Sequence, residues 1–188
     1  MISEVVTEIN SLITLNISKK FGVVERVYRF TGPIAIYPAE YVGKGQYENI
    51  NLDFHTCVYH RLTGAQTSSE SESRTGCGMD LTISQPMRMV LYCPKGILGF
   101  DDSSSVFKIA SNVRKEMTFN NDSTLATTLK VDYASVLVTS VDFDSVSVWG
   151  AEFQNVDFSL RSDMCLIGFD YTIEIKGDKN CILEYECT

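Results

Sequence analysis

The sequence predicts an α+β fold in which an antiparallel or mixed β-sheet carries an N-terminal helix and a central helix packed on one face. Three observations lead there. Apolar residues recur at helical spacing in two stretches, one at the start of the chain and one near its middle. In the long segments around them, apolar and polar residues alternate with the period of a strand. One helix precedes the strands and one interrupts them, an order that lacks the βαβ alternation of a parallel sheet. With 188 residues, 44% of them apolar, the chain is long enough to bury a core and is read as a single domain, 1–188.

The first element is a helix in "MISEVVTEINSLIT". Ile2, Val5, Val6, Ile9, Leu12 and Ile13 fall three and four apart on one face, Ser3 is the expected N-cap, and Glu4 suits the positive end of the helix dipole. "FGVVERVYRF" follows as a strand, rich in β-branched and aromatic residues. In "TGPIAIYPAEYVGKGQYENI", Pro33, Pro38, Gly43 and Gly45 predict a loop without long regular structure. Its "VGKGQ" is not a phosphate loop, since Lys44 is followed by Gly45 where Ser or Thr is needed.

Ile50 to Leu62 reads as a long strand, with Ile50, Leu52, Val58 and His60 on one face and Cys57, Tyr59 and Arg61 on the other. Next comes the polar segment 63–79, read as a flexible loop or arm because it has little to bury. "DLTISQPMRMVLYCP" supplies a partner strand, and Pro86 predicts a bulge or an edge position, because proline cannot donate to a ladder.

The central helix is expected in "DDSSSVFKIASNVRKEMTF". Val106, Ile109, Ala110, Val113 and Met117 make its apolar face, Asp and Ser residues cap its start, and Arg114 and Lys115 sit in its last turns. "NNDSTLATTL" reads as a loop, and "VDYASVLVTSVDFDSVSVWGAEF" as strand on its Val, Thr and aromatic content. The last strong element is "LIGFDYTIEIK". Ile167, Phe169, Tyr171, Ile173 and Ile175 face the core there, with Gly168, Asp170, Thr172, Glu174 and Lys176 opposite. A "GDKN" turn then leads to a short tail.

A net charge of −8 argues against a surface that grips nucleic-acid phosphates or an anionic bilayer, and no apolar run is long enough to span a membrane. The start, with Glu4 and Glu8, is unlike a secretory signal, so cytosolic synthesis and reduced thiols are the expectation for the six cysteines. His55, Cys57, His60 and Cys77 are the only group that invites zinc, and on a strand His60 would point away from the other two ligands. The pairs Asp101/Asp102 and Asp142/Asp144 are read as a helix cap and as the solvent face of a strand rather than as catalytic carboxylates. No nucleophile elbow, zinc-hydrolase helix or dinucleotide turn is present. No catalytic, cofactor-binding or metal-ligating residue is assigned.

Taken together, the N-terminal amphipathic helix, the passage "YPAEYVGKGQYENINLDFHTCVYHRL" running from a Pro/Gly loop into a strand, and the closing "LIGFDYTIEIKGDKNC" resemble the tail-terminator and neck (head-tail connector) proteins of tailed bacteriophages, in particular those of Bacteroidetes hosts. The resemblance lies in the order of elements over the chain. It implies a non-enzymatic structural virion protein without cofactor, a homo-oligomeric ring (hexamer or dodecamer) joining portal or neck proteins to the tail tube. Genomic DNA would pass through the lumen without specific binding. On this reading 63–79 is an arm that holds the neighbouring subunit, and the protein ends up in the virion after assembly in the host cytoplasm. Two alternatives belong to other classes. One is a secreted or surface-attached adhesin-like domain, with Asn16 and Asn121 as sugar acceptors and the cysteines as three bridges. The other is a small carboxylate-based hydrolase.

Overall fold

The computed structural model describes residues 1–29, 35–50, 52, 56–72, 78–99, 104–120 and 123–179. Within them the architecture is α+β, with four helices and nine strands. In order these are α1 (Ile2–Leu12), β1 (Lys19–Val23), β2 (Glu25–Arg29), β3 (Ala35–Gly43), β4 (Gln46–Asn49), β5 (Cys57–Leu62), β6 (Thr67–Glu72), β7 (Met79–Pro94), α2 (Ser105–Met117), α3 (Ser123–Leu129), β8 (Tyr133–Asp142), α4 (Ser145–Glu152) and β9 (Met164–Asp178).

The large sheet runs β1-β5-β7-β9-β8, with β6 alongside the first half of β7; its pairs are antiparallel except β1 with β5. A smaller antiparallel sheet has the order β2-β3-β4. One core lies between the large sheet and α1, α2 and α3, with Ile9, Ile109, Val113 and Leu129 meeting Met89, Ile167, Phe169 and Ile173. A second core lies on the opposite face, where Val148, Trp149 and Phe153 from α4 and the turn after it cover Tyr59, Val90, Tyr92 and Leu166. The middle of the sheet is therefore buried on both sides, which is why Cys57, Val58, Tyr59 and His60 are all inaccessible despite their alternation.

Several sequence expectations are corrected by these packings. The helix α1 starts two residues early, with Met1 rather than Ser3 at its N-cap, and Glu4 pairs with the terminal amine. "FGVVERVYRF" is two strands, because the buried Val24 donates its N–H to the His60 carbonyl (2.7 Å) and the chain then leaves for the second sheet. The predicted loop before Ile50 is the β3–β4 hairpin. Gly43, Lys44 and Gly45 all take positive φ (94°, 53° and 73°), so the glycines make the turn instead of breaking the strands. Pro38 sits within β3 because its missing donor falls where pairing with β4 stops, at Ala39 opposite Asn49.

Among the described residues of the predicted strand from Ile50, the strand runs over Cys57–Leu62. Ile50 and Leu52 join the second core, whereas Val58 points into the first, so the assigned register does not run through. Residues 51 and 53–55, including His55, lie outside the described residues.

Pro86 neither breaks β7 nor marks an edge. The Pro86 carbonyl accepts from Thr63 N–H (3.2 Å), so its nitrogen shares that side of the strand, in the gap between the β5 and β6 pairings, and no ladder bond is lost. Within 63–79, residues Thr67–Glu72 form β6, a strand whose side chains are all exposed; 73–77, with Cys77, lie outside the described residues.

"NNDSTLATTL" is not all loop: Leu125, Ala126 and Leu129 are buried on one side of the short helix α3. The stretch after β8 is helical because Asp144 caps it, its side chain accepting from Val146 N–H at 3.0 Å. A local hydrogen bond at the helix start overrides the strand propensity of "SVSVW".

Candidate functional site

The face of the large sheet under α4 holds a part-buried cluster of charged side chains centred on the fully buried Glu152, and it is the most organised polar site among the described residues. Strand pairing builds it. Arg61 on β5 stands opposite Arg88 on β7, and Arg88 stands opposite Asp170 on β9. The helix α4 lowers Glu152 onto this row, and Glu152 is fully buried.

Arg61 forks onto Glu152, Nε to Oε2 at 3.0 Å and Nη2 to Oε1 at 2.8 Å. Arg88 lies between carboxylates, 3.6 Å from Glu152, 3.4 Å from Asp142 and 3.5 Å from Asp170. Ser147 and Ser140 hydroxyls donate to Asp142 and Asp170, each at 2.8 Å.

The row has a steric condition. A Cβ on Gly168 would collide with the Arg88 guanidinium, so a glycine here leaves that group its place over the strand. The Tyr59 hydroxyl, beside the cluster, is buried without a hydrogen-bond partner, and burial first, then the Glu152 charge, pushes its pKa well up. It stays a phenol. Each carboxylate is committed to a guanidinium or hydroxyl donor, and no neutral base stands among them. Chemically the arrangement is a clamp that fixes α4 to the sheet. The small sheet joins it through Arg26, whose Nη2 donates to the Ala151 carbonyl in the last turn of α4.

On the opposite face, the second histidine of the candidate zinc group is spent in the core. Asn10 Nδ2 donates to the Phe21 carbonyl (2.9 Å), which leaves Asn10 Oδ1 to accept from His60 Nε2 (3.1 Å). His60 Nδ1 then accepts from the Tyr171 hydroxyl at 2.8 Å. That order of donors requires the neutral ring with its proton on Nε2. Burial lowers the His60 pKa to about 3.

Cys57 faces the second core, away from His60, and burial raises its thiol to about 12. No set of three metal-binding side chains occurs among the described residues. Asp142 and Asp144 are engaged separately: Asp142 belongs to the clamp and Asp144 caps α4. Asp101, Asp102 and Asn121 lie outside the described residues, and Asn16 is exposed. Cys57, Cys93 and Cys165 are free thiols, against the three-bridge arrangement only as far as these three are concerned.

Two surface features were not anticipated. At the β3–β4 hairpin, Tyr41, Val42 and Tyr47 are 53%, 53% and 40% exposed, the two rings 5.2 Å apart across the strands. At the β8 edge of the large sheet, the rings of Phe107 and Phe143 meet at a tilt, 5.9 Å apart, beside an open groove of about 340 Å³ that Val141 and Arg114 also line. The clamp was missed too. Its signals were present: arginines within apolar alternation ("MRM") and a glycine inside a strong strand ("LIGFD").

No protein-family model matches the sequence, and comparison with curated proteins gave no significant match.

Proposed function

We propose that the protein is a structural subunit that works through its surfaces and assembles head to tail with copies of itself into a closed ring. The observation that carries this reading is the pair of dissimilar apolar patches. One is the hairpin with Tyr41, Val42 and Tyr47; the other is the Phe107/Phe143 groove on α2 and the chain after β8. A ring of identical subunits needs a heterologous contact, in which each copy offers one surface to one neighbour and a different surface to the other. Large exposed apolar side chains grouped in two places fit that requirement better than scattered ones. A subunit held rigid by a buried ionic clamp and a two-sided core also suits a part that must keep its shape in an assembly.

Among rings, we infer the phage neck or tail terminator, on the resemblance in element order described above. In that place the protein joins portal or neck proteins to the tail tube and is not an enzyme. Its acidic surface keeps DNA moving through the lumen without binding it. β6, exposed along its length, is the element of 63–79 that reaches toward a neighbour. Native mass spectrometry of the purified protein, alone and with portal or tube protein, tests the reading. The expected species is a closed hexamer or dodecamer. A stable monomer that binds neither protein sinks it.

A further inference from the structure

A separate feature lies at the far end of the central strand pair. Cys93 and Cys165 stand directly opposite each other in the β7/β9 ladder, their sulfurs 3.8 Å apart, and the Cys165 thiol donates to the Cys93 carbonyl at 3.4 Å. Both are free and project into the first core. Lys95 N–H donates to the Asp163 carbonyl (2.9 Å), so Cys93, two residues earlier, shares that side of β7 and forms a hydrogen-bonded pair with Cys165. Directly opposed residues in such a pair have Cα atoms about 5.5 Å apart, inside the roughly 4.4–6.8 Å that a disulfide spans.

Rotation of the two side chains, together with a small approach of the strands at this end of the ladder, closes the sulfurs from 3.8 Å to bonding distance. Cys57 cannot compete, because it points to the opposite face. Only the Pro94–Met164 pair and the Lys95–Asp163 hydrogen bond lie between the thiols and the end of the ladder, so fraying of that end exposes them without opening the sheet.

We propose that Cys93 and Cys165 are a redox site: a dithiol that reacts with low-molecular-weight disulfides of the glutathione class to give a cross-strand staple between the two longest strands. Cys165 is the attacking thiol. The hydrogen bond with the Cys93 thiol, and to a lesser degree the ammonium of Lys95 held on the Ser162 carbonyl (2.7 Å), favour its thiolate against the opposing effect of burial. Once the end frays, the Cys165 thiolate attacks one sulfur of the oxidised glutathione, forming a mixed disulfide and releasing one glutathione thiolate. Cys93, losing its proton to solvent, then attacks the Cys165 sulfur and displaces the second thiolate. Two protein thiols are oxidised and one glutathione disulfide is reduced to two thiols, so the electrons balance.

The test is incubation of the purified full chain with excess oxidised glutathione, followed by alkylation under denaturing conditions, peptide mapping and a melting curve. The expected result is the loss of two of the six cysteine thiols, with one linked peptide joining Cys93 to Cys165. The melting temperature should rise by roughly 5–15 °C, because the bond closes a long loop in the unfolded chain. Cys57→Ala should behave the same. Cys93→Ala should stop at a glutathione adduct on Cys165 and gain no thermal stability. Refolding the protein in the same buffer removes burial as a barrier to reaction. A refolded chain that keeps all its thiols, or that links other cysteines, overturns the proposal.

Discussion

Glu152 is fully buried and pairs with two guanidinium groups, so its removal strips Arg61 of its carboxylate partner and leaves Arg88 with only Asp142 and Asp170. Glu152→Ala should cost about 3–5 kcal/mol in urea unfolding, the range for breaking a buried ion pair from one side. Gly168→Ala should also destabilise, by driving a methyl into the Arg88 guanidinium, and that cost should shrink in an Arg88→Ala background. Additive losses in the double variant would mean that Arg88 does not occupy this space. Across the sheet, the fully buried Phe169 belongs to the main core, and Phe169→Ala should cost about 3–5 kcal/mol. Its neighbour Asp170 is not the inert outward residue that alternation suggests, because Arg88 and Ser140 hold it. His60 gives a pH signature. Its pKa is about 3 in the fold and 6.5 in the unfolded chain. The unfolded state therefore binds the proton first, and stability falls as pH drops from the unfolded value toward the folded one. Between pH 7 and pH 5 this group should remove about 2 kcal/mol, a loss absent from His60→Gln. Equal pH dependence in the two proteins would show that His60 does not stay neutral in the core.

Among the elements, β6 is the least embedded: six exposed side chains on a strand paired on one side with β7. Replacing 64–78 by a short turn should leave the melting temperature within about 5 °C, because little apolar surface is lost, while assembly fails. A shortened chain that still assembles would reduce β6 to a solvent-facing edge. The helix α4 depends on its cap, and Asp144→Ala should cost about 1 kcal/mol. Periodicity made some elements legible in the sequence and not others. α1 and α2 each bury one face against the first core, and β9 does the same from Ile167 to Ile175, so their apolar spacing shows directly. β5 is buried on both sides and its alternation carries no label for inside. The β3–β4 hairpin was hidden because its glycines and prolines are the residues a loop would use, and their meaning depends on which backbone groups the neighbouring strand needs. α3 and α4 are too short for a helical period to stand out against Thr and Val composition. The clamp shows in the sequence only as isolated hints, the arginine in "MRM" and the glycine in "LIGFD", because Arg61, Arg88, Asp142, Glu152 and Asp170 come from separate elements that only the sheet register and the seat of α4 bring together.

For the molecule as a whole, the account depends on two different apolar patches meeting between copies. Val42→Glu on the hairpin and Phe107→Glu beside the groove each place a charge on one patch, at positions 53% and 63% exposed, so neither should change the melting temperature appreciably. Each variant alone should lose the ring, since every contact uses both patches. Mixed in equal amounts, they retain one intact hairpin and one intact groove between them, and a head-to-tail contact predicts one and only one new species, a one-to-one heterodimer that cannot grow or close. Native mass spectrometry of the wild-type chain, each variant and the equimolar mixture measures this directly. The account predicts a closed ring, two monomers and a heterodimer, in that order. A wild-type chain that stays monomeric with and without portal or tube protein, or variants that still form the ring, would contradict it.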